Sequence, residues 1–296
     1  MPEGEFAFIE RLAARLPELP PGQVGVGDDC AVLEGNRLIA TDLLVEGVHF
    51  RSDWASPADV GWKALAVNLS DLAAMGGTPE SAVVAVALPA ERPGVADEVL
   101  DGLLECAARF TCPLVGGDTS TGPDLFIAVT VTGRAERPVL RSGANAGETV
   151  FVTGPLGVAA AALDQLEAGN AAPAADALHR PLPRLVEGRA AAESGATAML
   201  DLSDGLAVDL PRIARASGIG IALELVPVAE GATQGHAVGG GDDYELCFTA
   251  PDPDRVRAAF EQVGLRAPIA IGTTTDGAGV TLEGQPLTGG WEHPIR

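Results

Sequence analysis

The sequence predicts a two-domain protein of the α/β (or α+β) class. Strand-like and helix-like segments alternate through both halves, the pattern of helices packed on sheets. A length of 296 residues favours two domains at roughly 100–200 residues each. Apolar residues reach 47% but aromatic residues only 4%, so the expected core is built from Ala, Val, Leu and Ile.

The elements follow in order. Residues 5–16 place Phe6, Ile9, Leu12 and Leu16 on one helical stripe. Residues 31–33 and 38–42 read as a hairpin around Gly35-Asn36. Ser56 then Pro57 marks a helix start, a cap followed by proline at the first helical position, and Gly76-Gly77 marks its end. A short buried strand at 82–88, a helix at 93–110 and strands at 114–117 and 125–134 complete the first half. Arg137-Pro138 is the expected linker, dividing the chain into 1–137 and 138–296. A strand at 149–153 then leads through Gly154-Pro155-Leu156-Gly157 into an Ala-rich helix. Helices are expected at 184–194, 204–216 and 254–263, and strands at 198–202 and near Ile221, Glu245 and Ile269. Pro211 should kink or break the helix that contains it.

Charge narrows the function. Asp and Glu number 41 against 19 Lys and Arg, a formal net charge of −22. That field repels nucleic acid and also free polyphosphate. An anionic substrate must arrive as a metal complex or meet a local cluster of cations. Acidity can also serve solubility alone. The first eleven residues lack the basic and apolar leader of a targeting segment, and no apolar run approaches the roughly 18–20 residues of a membrane helix. Cys30, Cys106, Cys112 and Cys247 form no C-x-x-C pair and read as buried free thiols of a cytoplasmic protein.

Several chemistries are excluded by what is missing. Lys63 is the one lysine and belongs to no P-loop; protein-kinase motifs are absent as well. Gly25-Val26-Gly27 starts a dinucleotide fingerprint but lacks its third glycine. The four histidines have no metalloprotease spacing, there is no nucleophile elbow, and residues 201–205 and 275–277 lack the acids of a calcium loop.

What remains is a set of acids beside glycines and small residues: Asp28-Asp29, Asp42, Asp71, Asp118, Asp201 with Asp204, and Asp242-Asp243. Each alone reads as an ordinary turn aspartate. Together they suit a hard cation, which takes oxygen ligands, beside a polyphosphate that the glycines let approach the backbone. Asn68 and Asp71 share a helical face with Ala64, Val67 and Met75, so a charge at 71 is costly unless it is paired, metal-bound or partly exposed.

These segments resemble the thiamine-monophosphate kinase family of the aminoimidazole ribonucleotide synthase-like superfamily. The resemblance runs through GVGDDCA (25–31), ATDLLVEGVHF (40–50), KALAVNLSDLAAMG (63–76), LVGGDT (114–119), RSGA (141–144), DLSDGL (201–206) and DYELCF (243–248). It implies ATP-dependent phosphorylation of thiamine monophosphate to thiamine diphosphate. It further implies a homodimer formed through N-terminal domains that share a β-barrel, with an α/β C-terminal domain. By motif position, Asp28, Thr41, Asp42, Asp71, Asp118, Asp201 and Asp204 would hold several Mg²⁺ ions. Gly117, Asp118, Arg141 and Ser203 would contact ATP, and His49, Asp242 and Trp291 would contact thiamine monophosphate. Asp71, Asp118 and Arg141 would carry the catalysis.

Three positions depart from the family. Ala40 stands where a hydroxyl residue is frequent, Asp242 stands where glutamate is usual, and no aromatic residue near the second long helix matches the family's adenine contact. The implied chemistry agrees with the acids already singled out. The acceptor phosphate is ionised at pH 7, so transfer needs positioning and charge neutralisation rather than a general base. Arg141 adds a fork of donors. Trp291 would wall the thiazolium cation, or alternatively pack as an indole on the second domain. A superfamily enzyme with a different acceptor, and a non-catalytic acidic protein that binds metal or nucleotide, are the competing readings.

Overall fold

A computed structural model describes residues 4–290 of the chain. The first half contains α1 (Glu5–Ala13), β1 (Ala31–Leu33), β2 (Arg37–Val45), α2 (Pro57–Ala74), β3 (Thr78–Pro89), α3 (Val95–Phe110), β4 (Leu114–Gly122) and β5 (Phe126–Arg134). Its strands form a mixed sheet ordered β1-β2-β5-β3-β4, in which only β3 and β4 run parallel. The second half contains β6 (Thr149–Val152), α4 (Val158–Glu167), α5 (Ala175–His179), α6 (Leu185–Ser194), β7 (Ala198–Asp201), α7 (Leu206–Ser217), β8 (Gly220–Leu223), α8 (Gln234–Gly239), β9 (Leu246–Ala250), α9 (Pro253–Gln262), β10 (Ile269–Thr275), β11 (Gly279–Leu282) and β12 (Gln285–Pro286). These strands form a second mixed sheet, β12-β11-β8-β10-β6-β9-β7. Both sheets are open, so a closed barrel is not formed among the described residues.

Local chemistry explains the elements that frame the site. Gly35 and Asn36 both take positive φ, 74° and 57°, as a two-residue turn matched to strand twist requires. The hairpin pairs Val32 with Leu38. Ser56 Oγ accepts from Asp59 N–H while the Asp59 carboxylate accepts from Ser56 N–H, a reciprocal cap that starts α2. Helix α2 is apolar nearly all round, and 14 of its 18 residues are buried, so it runs through the interior rather than along a surface. It packs on β2, β5, α3, α6 and β7 and so joins the two halves. At its crossing with α3, a Cβ on Gly61 would lie 2.1 Å from Val99 O, and one on Gly102 would lie 1.8 Å from Ala58 O.

Several expectations are revised. Helix α1 ends at Ala13, none of its residues is buried, and the stripe residues Leu12 and Leu16 are exposed. Strand β3 is longer than 82–88 and is not a buried strand: only Ala82 and Pro89 are buried, and its other positions are partly or fully exposed. Strand β4 continues to Gly122. Helix α7 runs through Pro211 without breaking. The missing N–H forgoes only the bond to the residue 207 carbonyl, and burial of Leu206, Leu210, Ile213 and Ala214 holds the helix. The short elements α5, α8, β11 and β12 carry too few residues to show a period. All four cysteines are free and buried. Among the described residues, no helix is long and apolar enough to cross a membrane.

Candidate active site

Three elements deliver carboxylates to one place. Asp29 comes from the turn before β1, Asp71 from the C-terminal third of α2, and Asp201 from the end of β7. Each offers an oxygen, and these oxygens lie within 4.8 Å of one another. Burial first, and then Asp42, Asp201 and Asp29, raise the Asp71 carboxyl well above the usual carboxylate range. Burial and Asp29 raise Asp201 in the same way, although Ser70 Oγ donates to it at 2.5 Å and opposes the rise. Like charges forced together out of water hold their protons until something positive replaces them.

The surrounding residues fix this arrangement. Asn68 is fully buried; its Nδ2 donates to Ala64 O at 2.9 Å and its Oδ1 accepts from Asp42 N–H at 3.0 Å, which straps β2 to α2. Asp42 is raised to about 6 by burial, Asp204 and Asp29. Asp28 is raised to about 7 by burial and Asp29, against the pull of Arg141 N–H, which donates to its Oδ1 at 3.0 Å. The Arg141 guanidinium donates to Asp29 Oδ1 at 2.6 Å. Burial alone would lower the Arg141 pKa, but Asp29, Asp28 and Asp201 raise it above its ordinary value. Asp29 Oδ2 and Arg141 Nε are buried and have no partner. An all-oxygen set with an orphaned carboxylate oxygen fits a hard divalent cation such as Mg²⁺.

The other expected residues are distributed around this centre. Asp204 pairs with Arg212 at 2.6 Å, and its N–H donates at 2.9 Å to Asp209, a buried acid pushed up to about 7. Ser203 is part-buried, and its carbonyl accepts from Asp242 N–H at 2.9 Å. Thr41 Oγ1 is engaged within the sheet, donating to Val129 O and accepting from Thr130 Oγ1, both at 3.0 Å. Gly117 and Asp118 are not part of the trio; they lie on the exposed strand β4 opposite Val84 and Ala85. A Cβ at 117 would lie 1.9 Å from Val84 O, so strand pairing alone already demands glycine there.

His49 Nδ1 accepts from Val45 N–H at 3.0 Å. Its loop is anchored by Glu46, which receives Arg92 on both oxygens, Ser52 Oγ at 2.5 Å and Leu125 N–H at 3.0 Å. The Arg92 guanidinium holds Glu46 down at about 2. Asp242 Oδ2 lies 3.0 Å from Lys63 Nζ, and its Oδ1 accepts from Tyr244 O–H at 2.9 Å. The neighbouring Asp243 turns to Gly157 N–H, at 2.8 and 2.9 Å, ahead of α4. Trp291 lies outside the described residues.

Sequence reading placed Asp29 in the acid set but gave the ligand role to Asp28, and it missed Ser70 and the use made of Lys63. Asp28 and Asp29 are consecutive, so composition is blind to which carboxylate turns inward. Ser70 is one of many small residues in an apolar helix. Lys63, as the one lysine, was the signal available.

Residues 27–135 match the family AIR synthase related protein, N-terminal domain, and residues 145–285 match AIR synthase related protein, C-terminal domain. The thiamine-monophosphate kinase of Rhodopirellula baltica is 38% identical over 276 residues, which is 84% of this chain and 83% of the relative. That of Mycobacterium tuberculosis is 38% identical over 316 residues, covering 98% and 91%. Among solved structures, AaThiL complexed with AMPPCP and TMP superposes with a TM-score of 0.88 at 31% identity, covering 98% of this chain and 97% of the other.

Proposed function

The chain belongs to the AIR synthase related family and, within it, to the thiamine-monophosphate kinases, and on that premise we propose how its residues carry out the reaction. It phosphorylates thiamine monophosphate with ATP as co-substrate. The observation that carries the proposal is the trio Asp29, Asp71 and Asp201 beside Arg141.

In this reading the trio holds one Mg²⁺, and Asp28, Thr41, Asp42, Asp118 and Asp204 supply oxygen donors to further Mg²⁺ ions. Bound magnesium would supply charge neutralisation for the ATP phosphates and the acceptor phosphate. Arg141, anchored by Asp29, presents its fork to the nucleotide, together with Gly117, Asp118 and Ser203. His49, held in place by Val45 N–H at its Nδ1, contacts thiamine monophosphate in this reading. Asp242 and Trp291 complete that side. The ionised acceptor oxygen attacks the γ-phosphorus of ATP in line as the bond to the bridging oxygen breaks and ADP leaves; Asp71 and Asp118 act by positioning, so no base is required.

The two family matches support a domain division at Arg137-Pro138. Strand β4 is an open edge, and Leu43, Val83 and Val115 are exposed on the same sheet. Open edges and apolar sheet faces are usually covered, which supports a homodimer whose N-terminal sheets close a shared barrel. Free thiols and an ATP co-substrate support a cytoplasmic location.

The test is turnover with ATP, Mg²⁺ and thiamine monophosphate, with free thiamine as the control acceptor and the product identified by chromatography. Thiamine diphosphate from the monophosphate alone is expected. Absence of product from a protein that still binds ATP would overturn the acceptor assignment.

A further inference from the structure

Away from the acidic centre, a cleft of ≈ 640 Å³ opens between the start of β3, the end of α3 and the segment entering α6. Three guanidinium groups line it, Arg109, Arg184 and Arg189, against a single acid, Glu187. In a chain with 41 acidic and 19 basic residues, this is a local reversal of sign. Arg184 is already held, because it donates to both oxygens of Glu245. Arg109 lies over the Phe110 ring, 5.7 Å from its centroid. Neither Arg109 nor Arg189 has a carboxylate partner among the described residues.

The remaining walls are suited to a small molecule. The Thr78 and Thr111 side chains add hydroxyls, while Phe110, Leu182, Val186 and Leu265 supply apolar surface. Leu182 and Val186 are 49% and 41% exposed, so this surface is uncovered. The volume falls within the roughly 300–1,000 Å³ of ligand clefts. The first turn of α6 has no side-chain cap and adds N–H donors at the same end, though the two free guanidinium groups carry most of the attraction.

We propose that this cleft binds a phosphate-bearing small molecule, with its phosphate on Arg109 and Arg189. A guanidinium fork matches phosphate oxygens in pairs. The −22 field expels free anions elsewhere, so metal-free phosphate has a stable place only where cations outnumber acids. The site is independent of the catalytic reading, because no residue of the acidic centre contributes to it.

The experiment is calorimetric titration of the full chain with inorganic pyrophosphate in the presence of a chelator, which denies the acidic trio any metal bridge. One binding site is expected. Arg109→Ala and Arg189→Ala should each weaken it at least about tenfold, while thermal melts confirm that both variants fold. Arg141→Ala, which removes the cation beside the acidic centre, should bind as the wild type does. No binding at millimolar pyrophosphate overturns the proposal. So does equal binding by the cleft-arginine variants, or loss of binding in Arg141→Ala, which would put the anion beside the acidic centre.

Discussion

Lys63 Nζ lies 3.0 Å from Asp242 Oδ2, and the Tyr244 hydroxyl donates to the other oxygen of the same carboxylate at 2.9 Å. Lys63 is buried in α2, whereas Asp242 sits in a turn that both it and Tyr244 enter with positive φ, 64° and 50°. Side chains other than glycine rarely hold that conformation unless their surroundings impose it. The lysine therefore locks a strained turn and aims its carboxylate. Asp242 is engaged through both carboxylate oxygens, so its reach depends on that lock.

Lys63→Met is expected to raise KM for thiamine monophosphate about tenfold, equivalent to about 1.4 kcal/mol, and to leave KM for ATP within about twofold. Steady-state kinetics on each substrate reads the split. An equal rise in both KM values would mean that the lysine serves only general packing.

Asp71→Asn should separate activity from stability. The substitution keeps the shape but removes one of three carboxylates that share a site. Phosphoryl transfer is expected to fall by roughly a thousandfold, about 4 kcal/mol of lost transition-state stabilisation. In chelator, the same variant should melt higher than wild type, because burial and Asp42, Asp201 and Asp29 all disfavour charge at this position. A variant with most of the wild-type kcat, or one that melts lower in chelator, would remove Asp71 from the cluster.

The pH dependence has a defined sign. Asp42 and Asp28 are raised to about 6 and about 7, and Asp71 and Asp201 are raised as well. In the unfolded chain these groups titrate near 4, so between roughly pH 4 and 7 the native state binds more protons. The stability they contribute is present below about pH 4 and is lost as pH rises through their native values. A divalent cation reverses the loss by favouring the charged forms. Mg²⁺ should therefore raise the thermal midpoint by about 2–4 °C at pH 7.5 and by under about 1 °C at pH 5. An equal shift at both pH values would place the bound ion elsewhere.

Much of the frame was legible because it is written in local chemistry. The Gly35-Asn36 turn, the Ser56-Pro57 cap and the glycines after Met75 each have one favoured conformation, and the structure adopts them. Pro211 misled because tertiary burial of α7 outweighed a single lost hydrogen bond. The acids were legible as a set, since charge beside glycine is conspicuous in an apolar chain. Which of them meet was not legible. That depends on α2 threading between the two halves, and it is decided by Asn68, Ser70 and Lys63, whose contacts span distant parts of the sequence.

Asp28 and Asp29 give the sharpest case. Motif position points to Asp28 as the metal ligand, yet its Oδ1 is occupied by Arg141 N–H. Asp29 joins Asp71 and Asp201, keeps its Oδ2 buried without a partner, and holds the Arg141 guanidinium through Oδ1. In the proposed reading, one residue thus supports both the metal site and the arginine presented to the nucleotide. Asp29→Asn is expected to abolish the Mg²⁺-dependent rise in thermal midpoint and also to raise KM for ATP, because Arg141 loses its charged anchor. Asp28→Asn should keep at least half of the Mg²⁺ response, since the amide oxygen still accepts from Arg141 N–H. Melts with and without Mg²⁺, paired with ATP kinetics, distinguish the two. Equal losses would mean that both carboxylates bind the ion. A full response in Asp29→Asn alone would return the ligand role to Asp28.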